Sequence, residues 1–254
     1  MEIRRVRADE GQMWHDLRLR MVTDSPDAFG QSVAEVQAMP AEMWTSDVTN
    51  LATSAWAAGI VAEEDGLVCG TASLFRSPAP VLPREHVAIL ARAYNAATPD
   101  ANDEEILGPA LAPLARDMAR APGTGGKDQL PLMFRARLSF IDMLRVAMCA
   151  CGPRDPALTG WDPDSLFLPT NENAVMRYVW VDPARRGKGV GMALMDAADA
   201  WARSCGVRRI CLIVVETQVA AVKLYLKTGY QLSNNRMRID ASHAAWDFVM
   251  AKDV

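Results

Sequence analysis

The segment from residue 174 to residue 216 constrains the fold most, because a strand, a glycine-rich loop, a helix and a second strand follow one another directly. The two strand patterns, "AVMRYVWV" and "RRICLIVVE", are rich in β-branched residues. Between them, apolar residues recur at helical spacing, and Gly206 stands where a helix C-terminus favours glycine. So short a connection predicts a βαβ unit with parallel neighbouring strands. The recurring apolar residues are Leu194, Ala198, Trp201 and Cys205.

The flanking segments predict more strands and helices of the same core. "IRRVRADE" predicts a strand, and a helix follows it with one apolar face; a second short helix is predicted with Ser25 as N-cap and Pro26 as its first residue. "AWAAGIVAEEDGLVCGTASLFRS" is typical of an antiparallel hairpin. "QVAAVKLYLKTGY" predicts a helix ending at Gly229, before final strands in "QLSNNRMRI" and "AWDFVMA". The apolar face of the first helix consists of Met13, Trp14, Leu17 and Met21.

Residues 77–173 have a different character from the rest of the chain. Prolines and glycines punctuate three helical patterns there, which predicts a helical insertion. Long connections carried by a rigid scaffold often form lids, acceptor pockets or dimer arms, and the other interpretation is a structural cap that buries its own leucines. Arg135, Arg137 and Arg145 on the third helix would suit an acidic carrier protein, or would simply be solvated.

Composition excludes several classes of function. The chain has 254 residues, half of them hydrophobic, and a formal net charge of −4, which disfavours a general nucleic-acid or anionic-membrane surface. No apolar run approaches the roughly 18 residues of a membrane span, and no apolar h-region follows the N-terminal charges. We therefore expect a cytoplasmic protein that binds neither nucleic acid nor membrane.

The cysteines predict neither a metal site nor a disulfide framework. Their number is odd, five, no CxxC pair occurs, and the chain has only three histidines. Free buried thiols are the expected state. The cysteines are Cys69, Cys149, Cys151, Cys205 and Cys211.

The loop "DPARRGKGVG" favours an anion but matches neither common nucleotide motif. A dinucleotide fingerprint starting at Gly187 would need glycine at position 192, where Met192 stands, and a Walker loop would need Gly-Lys-Ser/Thr. A strand running straight into a helix leaves first-turn N–H groups unpaired, and glycines let a phosphate approach that backbone. Arg185, Arg186 and Lys188 add positive charge beside the helix N-terminus. The alternative is a tight turn in which the glycines are present only because the backbone needs positive φ angles, without an anion site.

Two motifs give the chain a specific resemblance. "RGKGVG" resembles the acyl-CoA pyrophosphate loop of the GNAT N-acetyltransferase superfamily, Arg/Gln-x-x-Gly-x-Gly/Ala, and "AAVKLYLKTGY" resembles that family's A-[IV]-x-L-Y-x-K-x-G-[FY] helix. The start, "LRLRMVTDSPDAFGQS", is similar to many acetylating members. The resemblance covers residues 1–76 and 174–254, a GNAT acyl-CoA-binding core. It implies an α/β (α+β) fold with a mixed, mostly antiparallel central sheet flanked by helices, interrupted by the helical insertion.

The resemblance also implies roles for particular residues. The strand before the loop would pair with the pantetheine arm and help hold the thioester carbonyl, through the backbone of Val179, Trp180 and Val181. Tyr225 would be the general acid that protonates the departing thiolate, and a phenol suits that step because it keeps its proton at pH 7. Gln218 stands where the family often has an asparagine that contacts the pantetheine. The loop amides cradling the pyrophosphate would be those of Arg186, Gly187, Lys188, Gly189, Val190, Gly191 and Met192.

The base that accepts the amine proton is left open by the sequence. Glu216 and Tyr178 are the tentative candidates, and Glu172 lies at the junction with the insertion. Peptide-acetylating relatives usually carry a glutamate where this chain has Ile213, which disfavours a peptide α-amine acceptor. More remote candidates are Asp240, His243 and Asp247.

The predicted function is therefore acetyl transfer from acetyl-CoA to the primary amine of a small molecule by direct attack, without a metal. Two alternatives use the insertion: a carrier-protein-dependent acyltransferase, with an acyl carrier protein as partner, or a non-catalytic acyl-CoA-binding assembly protein. A homodimer through the insertion and a peptide or protein acceptor are the further alternatives.

Overall fold

The computed structural model describes residues 1–29, 31–76, 172–237 and 247–254. The predicted helical insertion lies outside the described residues except for its last two positions, 172 and 173. The arginines proposed for a carrier protein, and the remote base candidates Asp240 and His243, also lie outside them.

The described strands form one seven-stranded sheet in the order β1-β2-β3-β4-β5-β7-β6. All neighbouring pairs are antiparallel except β4 and β5, which are parallel. This confirms the predicted mixed, mostly antiparallel sheet and the βαβ unit. The strands are β1 (Glu2–Arg5), β2 (Ala57–Glu64), β3 (Leu67–Phe75), β4 (Asn173–Val181), β5 (Arg209–Val215), β6 (Gln231–Met237) and β7 (Asp247–Asp253).

Helices in the described residues come before β2 and on either side of β5. They are α1 (Gly11–Asp24), α2 (Val33–Ala38), α3 (Ala41–Thr53), α4 (Val190–Ser204) and α5 (Val219–Lys227), with 3₁₀ turns at Pro26–Ala28 and Pro183–Arg185. The predicted C-terminal glycines are confirmed, since Gly206 has φ 74° and Gly229 has φ 92°.

The predicted second helix is wrong in its start and in its cap. Residues 26–28 form only a 3₁₀ turn, and the Ser25 side chain makes no cap hydrogen bond there. The α-helix begins later, at Val33, where Ser32 and Glu35 form a reciprocal capping box that satisfies two end N–H groups. Helix α3 was not predicted.

Two apolar clusters cover opposite faces of the sheet. The α4-side cluster packs α4 and α5 against the strands, and the α1-side cluster packs α1, α2 and α3 against the other face. Large buried members of the α4-side cluster are Leu74, Met176, Leu194, Met195, Leu212, Tyr225 and Met250. Those of the α1-side cluster include Trp14, Leu17, Met21, Trp44, Phe75 and Trp180.

Strands β4 and β5 separate after a short paired stretch. They pair at Asn173↔Arg209, Ala174↔Ile210 and Val175↔Cys211, and no further pair joins them although both strands continue. We call the gap between residues 176–181 and residues 212–215 the wedge. Because β3 covers only the other edge of β4, the wedge-side edge of β4 has backbone groups that no strand in the described residues pairs.

Candidate functional site

A bulge in β4 marks the start of the wedge. Opposite β3, Ser73 pairs with Arg177 and Thr71 pairs with Trp180, so β4 has one residue more than its partner. Tyr178 lies in this bulge with φ 57°, a left-handed conformation that costs a non-glycine residue about 1–2 kcal/mol. The bulge breaks the alternation of faces: Met176 belongs to the α4-side cluster, whereas Tyr178 packs against the α1-side cluster. It therefore changes the direction of the backbone groups that border the wedge.

The residues predicted to hold the pantetheine lie directly after this bulge. Val179 and Val181 pack against the α4-side cluster, while Trp180 belongs to the α1-side cluster. The Trp180 indole Nε1 donates a 2.9 Å hydrogen bond to Asp24, and the Val181 carbonyl accepts one of 3.0 Å from Nε of Arg186. The end of β4 is thus fixed by side chains on both sides.

The loop after β4 has the geometry of an anion cradle. Gly187 and Gly189 have φ 74° and 87°, and a Cβ at either position would meet nothing within 4 Å, so both glycines face open space. The backbone hydrogen bonds of α4 begin with Ala193 donating to Gly189 at 3.1 Å, which leaves the N–H groups of the first turn without intrahelical acceptors. The loop amides predicted to cradle a pyrophosphate therefore lie at an open helix N-terminus.

Gly191 has a different reason for being glycine. A Cβ there would lie 2.9 Å from Cδ2 of Leu224, so this glycine lets the start of α4 approach α5 closely. Val190, beside it, is buried in the α4-side cluster. The third glycine of the motif therefore joins the loop to the helix that carries Tyr225.

The basic residues of the loop do not all face an open site. Arg185 pairs with Glu64 at 2.9 Å, and Arg186 pairs with Asp24 on α1. Two of the three charges expected beside the helix N-terminus are thus paired with carboxylates, because the loop packs against α1 and the hairpin. Lys188 is exposed and forms no ion pair with the described residues.

Asp24 and Asp182 connect the loop to α1. Partial burial would raise the pKa of Asp24, but hydrogen bonds from Trp180, Ser25 and Arg186 outweigh it and hold the pKa below its usual range. Asp182 accepts a 2.9 Å hydrogen bond from the Ala184 N–H and pairs with Arg20, and together these outweigh its partial burial and keep its pKa low as well. The sequence interpretation assigned no role to Asp24, although the resembling segment "LRLRMVTDSPDAFGQS" contains it.

Tyr225, the predicted general acid, lies on α5 and is 5% exposed. Its ring centroid is 5.8 Å from that of Tyr230, and both rings belong to the α4-side cluster against which Val179 and Val181 also pack. Burial raises the pKa of Tyr225 well above its usual value, so the phenol stays protonated at neutral pH.

Three of the four remaining candidates lie at the end of β5 that borders the wedge. Glu216 follows β5 in a turn and is half-buried, and Gln218 stands at the N-cap of α5, where its N–H donates to the Val215 carbonyl at 2.9 Å. Asp247 begins β7 opposite Val215. Glu172 lies at the paired end of β4, seven residues or roughly 23 Å along the strand from Val179, so the structure does not bring it to the loop.

The described residues contain no group of three or more metal-ligating side chains and no helix long and apolar enough to cross a membrane. Three free thiols are described: Cys69 and Cys211 are buried, and Cys205 is half-buried. Burial raises the pKa of Cys211 to about 12. The prediction of free buried thiols is confirmed for Cys69 and Cys211.

Comparison with known proteins agrees with this geometry. Residues 145–230 match the model of the acetyltransferase (GNAT) family. The uncharacterized N-acetyltransferase YdgE of Bacillus subtilis (strain 168) is 42% identical over 55 residues, which are 22% of this chain and 35% of that relative. The chain therefore matches about a third of the length of this curated relative.

Solved structures share the fold at low sequence identity. The acetyltransferase of the GNAT family from Streptococcus pneumoniae has a TM-score of 0.57 and 12% identity, covering 100% of this chain and 98% of that chain. YncA of Salmonella typhimurium, solved with its cofactor acetyl-CoA, has a TM-score of 0.53 and 14% identity, covering 100% and 93%. A GCN5-related N-acetyltransferase from Kribbella flavida has a TM-score of 0.51 and 16% identity, covering 100% and 97%.

The described residues form an α/β protein in which two separated strands, a bulge and a glycine loop at a helix N-terminus lie next to one another. Similarity to the GNAT family model thus covers residues 145–230, and the likeness to the solved structures is one of fold.

Proposed function

We propose that this protein is an acyl-CoA-dependent N-acyltransferase that moves the acetyl group of acetyl-CoA to the primary amine of a small molecule. One observation carries the proposal: the wedge, the glycine loop and Tyr225 meet through the α4-side cluster. The wedge offers unpaired backbone to an extended pantetheine arm, and the loop offers open amides to a pyrophosphate.

The reaction would follow direct attack. The neutral amine attacks the thioester carbonyl carbon, and backbone N–H groups at the wedge-side edge of β4, in residues 179–181, would stabilise the oxyanion. The C–S bond then breaks, and the thiolate takes the proton of Tyr225. The amine proton would go to Glu216 directly or through water, since the ring of Tyr178, the other candidate base, packs against the α1-side cluster.

The pKa of Tyr225 fits this step in spite of its upward shift. The same apolar surroundings that raise the pKa of the phenol also raise that of a CoA thiol leaving next to it. Both groups therefore prefer their neutral forms, and proton transfer avoids a buried thiolate. This argument supports Tyr225 as the acid and leaves the base to experiment.

The small-molecule acceptor is supported by one position on β5. Ile213 stands where peptide-acetylating relatives usually carry a glutamate, and it pairs with Val249 in the sheet while remaining half-buried. An apolar side chain there cannot accept an amine proton. The other candidates, a carrier-protein-dependent enzyme and a non-catalytic binder, depend on the insertion, which lies outside the described residues.

Calorimetry with acetyl-CoA, CoA, ATP and NAD tests the donor, and mass spectrometry of an amine library incubated with acetyl-CoA tests the reaction. We expect binding of acetyl-CoA and CoA only, and acetylated small-molecule products. Absence of binding at millimolar acetyl-CoA would overturn the proposal. Binding with no product from any amine would favour the non-catalytic alternative, and turnover only with an acetylated carrier protein would favour the carrier-dependent one.

A further inference from the structure

Arg18 on α1 is a buried charge for which the proposed reaction has no role. It is 2% exposed, and its Nη2 donates a 2.5 Å hydrogen bond to Oε1 of Gln31. Its guanidinium carbon lies 3.9 Å from the ring centroid of Tyr178 and 5.5 Å from that of Phe29. A guanidinium stacked on an aromatic ring at such a distance attracts it strongly when both are shielded from water.

The ring under Arg18 belongs to the residue with the unusual backbone. Tyr178 is the only non-glycine residue within a described strand that has positive φ, 57°, and it lies in the bulge that begins the wedge. A bulky residue stays in this conformation only when its surroundings hold it there. The Arg18 stack is the contact that fixes its side chain from α1.

The backbone of Tyr178 adjoins the amide groups that the proposed function uses. Val179 follows Tyr178 directly, and the wedge-side amides of residues 179–181 are those proposed to hold the thioester carbonyl. If Tyr178 relaxed to an extended conformation, the bulge would be lost and these amides would turn away from the wedge.

We propose that Arg18 is a positioning residue that holds Tyr178 in its left-handed conformation and thereby aims the β4 amides at the thioester carbonyl. This inference rests on the proposed function for its effect on acetyl-CoA. Gln31 takes part by accepting a hydrogen bond from the guanidinium, which fixes its plane.

Substitutions at position 178 test the inference most directly. Tyr178→Ala lacks the ring but must still adopt positive φ, whereas Tyr178→Gly adopts it at no steric cost. We expect Tyr178→Ala to lower turnover by about 10²-fold, as a misplaced reactive geometry does, and Tyr178→Gly to lower it much less. Equal losses in the two variants would overturn the inference, because they would assign the effect to the ring or its hydroxyl.

Arg18→Met in two backgrounds gives the second test. In the natural background we expect weaker acetyl-CoA binding in calorimetry and turnover as low as in Tyr178→Ala. In the Tyr178→Gly background, Arg18→Met should change the acetyl-CoA affinity and the turnover by no more than about twofold, which is the deviation from additivity usual for sites that do not interact. The same loss in both backgrounds would show that Arg18 acts elsewhere. If Arg18→Met does not fold, Arg18→Lys replaces it in both backgrounds, because lysine keeps the charge without the planar stack.

A control and a ligand-free measurement separate this inference from the proposed function. Arg5→Met removes a different arginine, which is partly buried and donates to the carbonyls of Leu51, Ser54 and Ala57, and should lower stability without changing acetyl-CoA affinity. Amide hydrogen exchange of residues 174–181, without any ligand, should be faster in Arg18→Met and unchanged in Arg5→Met. If the natural protein neither binds acetyl-CoA nor transfers acetyl, the proposed function fails, but the exchange measurement still decides the role of Arg18. Equal exchange rates in Arg18→Met and Arg5→Met would overturn the proposal that Arg18 positions Tyr178.

Discussion

The carboxylate of Asp24, in the last turn of α1, accepts a 2.9 Å hydrogen bond from the indole of Trp180 on β4. It also pairs with Arg186 and accepts a 2.8 Å bond from the Ser25 hydroxyl. The Asp24 side chain thus connects helix α1, the end of strand β4 and the glycine loop. Its loss should affect stability in a way that depends on pH.

Asp24→Asn should lower the free energy of unfolding by about 1 kcal/mol at pH 7, since it removes the charge but keeps an acceptor for Trp180. The pKa of Asp24 is lower folded than unfolded, so its contribution is full above the unfolded pKa of about 3.9 and is lost as pH falls through the folded pKa. Urea unfolding at pH 7, 5 and 2 should therefore show the two proteins converging at the lowest pH. A constant difference at all three pH values would contradict this role.

A control for Asp24 is Asp253→Asn at the end of β7. Asp253 pairs with Arg209 at 2.8 Å but is 77% exposed. Exposed pairs contribute little, so this variant should differ from the natural protein by less than about 0.5 kcal/mol at pH 7.

Gly189→Ala should weaken acetyl-CoA binding by at least about tenfold, because it removes one backbone hydrogen bond to a charged phosphate group. It should also lower the stability of the protein. The matched control is Gly66→Ala in the β2–β3 turn. Gly66 has φ 76° and Gly189 has φ 87°, and a Cβ would meet nothing within 4 Å at either position. The two variants should therefore lose similar stability, about 1–2 kcal/mol, in thermal unfolding. Only Gly189→Ala should change the affinity in calorimetry; an equal effect of Gly66→Ala would mean that strain, not contact, is responsible.

Tyr225→Phe should lower turnover by about 10²-fold or more, the usual contribution of a general acid, and leave acetyl-CoA affinity within about twofold. Because the pKa of Tyr225 is raised, this residue should cause no alkaline decline in the rate below about pH 10. Steady-state kinetics from pH 6 to 10 measure both effects. Unchanged turnover would remove Tyr225 as the acid.

Tyr230→Phe is the matched control and should stabilise the protein. The Tyr230 hydroxyl is buried without a hydrogen-bond partner in the described part of the chain, and an unsatisfied buried polar group costs about 1–3 kcal/mol. Removing it should raise the melting temperature by a few degrees. Lower stability would show that the hydroxyl has a partner, such as a buried water.

The elements that the sequence predicted well are those whose signals are local. The βαβ unit, the hairpin and the stops at Gly206 and Gly229 each depend on a few adjacent residues, and all are confirmed. The start of α2 also had a local signal, Ser32 followed by Glu35, but Pro26 suggested an earlier start.

Helix α3 was missed although its buried residues have helical spacing. Trp44, Val48 and Leu51 recur at i, i+4 and i+7, but threonine, serine and asparagine between them have low helix propensity. Packing against α1 and β2 within the α1-side cluster stabilises the helix, and this tertiary contribution is not visible in the segment itself.

The sequence predicted the motifs of the site but not the long-range contacts between its residues. Glycine spacing predicted an open loop, because φ and steric access are local properties. The pairing of Arg186 with Asp24 joins residues 162 positions apart, and the left-handed conformation of Tyr178 depends on a bulge and on α1. A single sequence contains no signal for either contact, so Arg186 was expected to add free charge to the loop.

Lys188→Ala should therefore weaken acetyl-CoA binding by about two- to fivefold, as expected for one exposed charge, because the two neighbouring arginines are already paired. The effect should shrink as salt rises, since ions screen an exposed lysine from a phosphate. Arg203→Ala, in the last turn of α4, removes the same charge from the opposite end of the helix and should leave the affinity unchanged. Calorimetry at about 50 and 500 mM salt distinguishes Lys188→Ala from Arg203→Ala. Equal effects of the two variants would mean that Lys188 contributes only through the net charge of the protein.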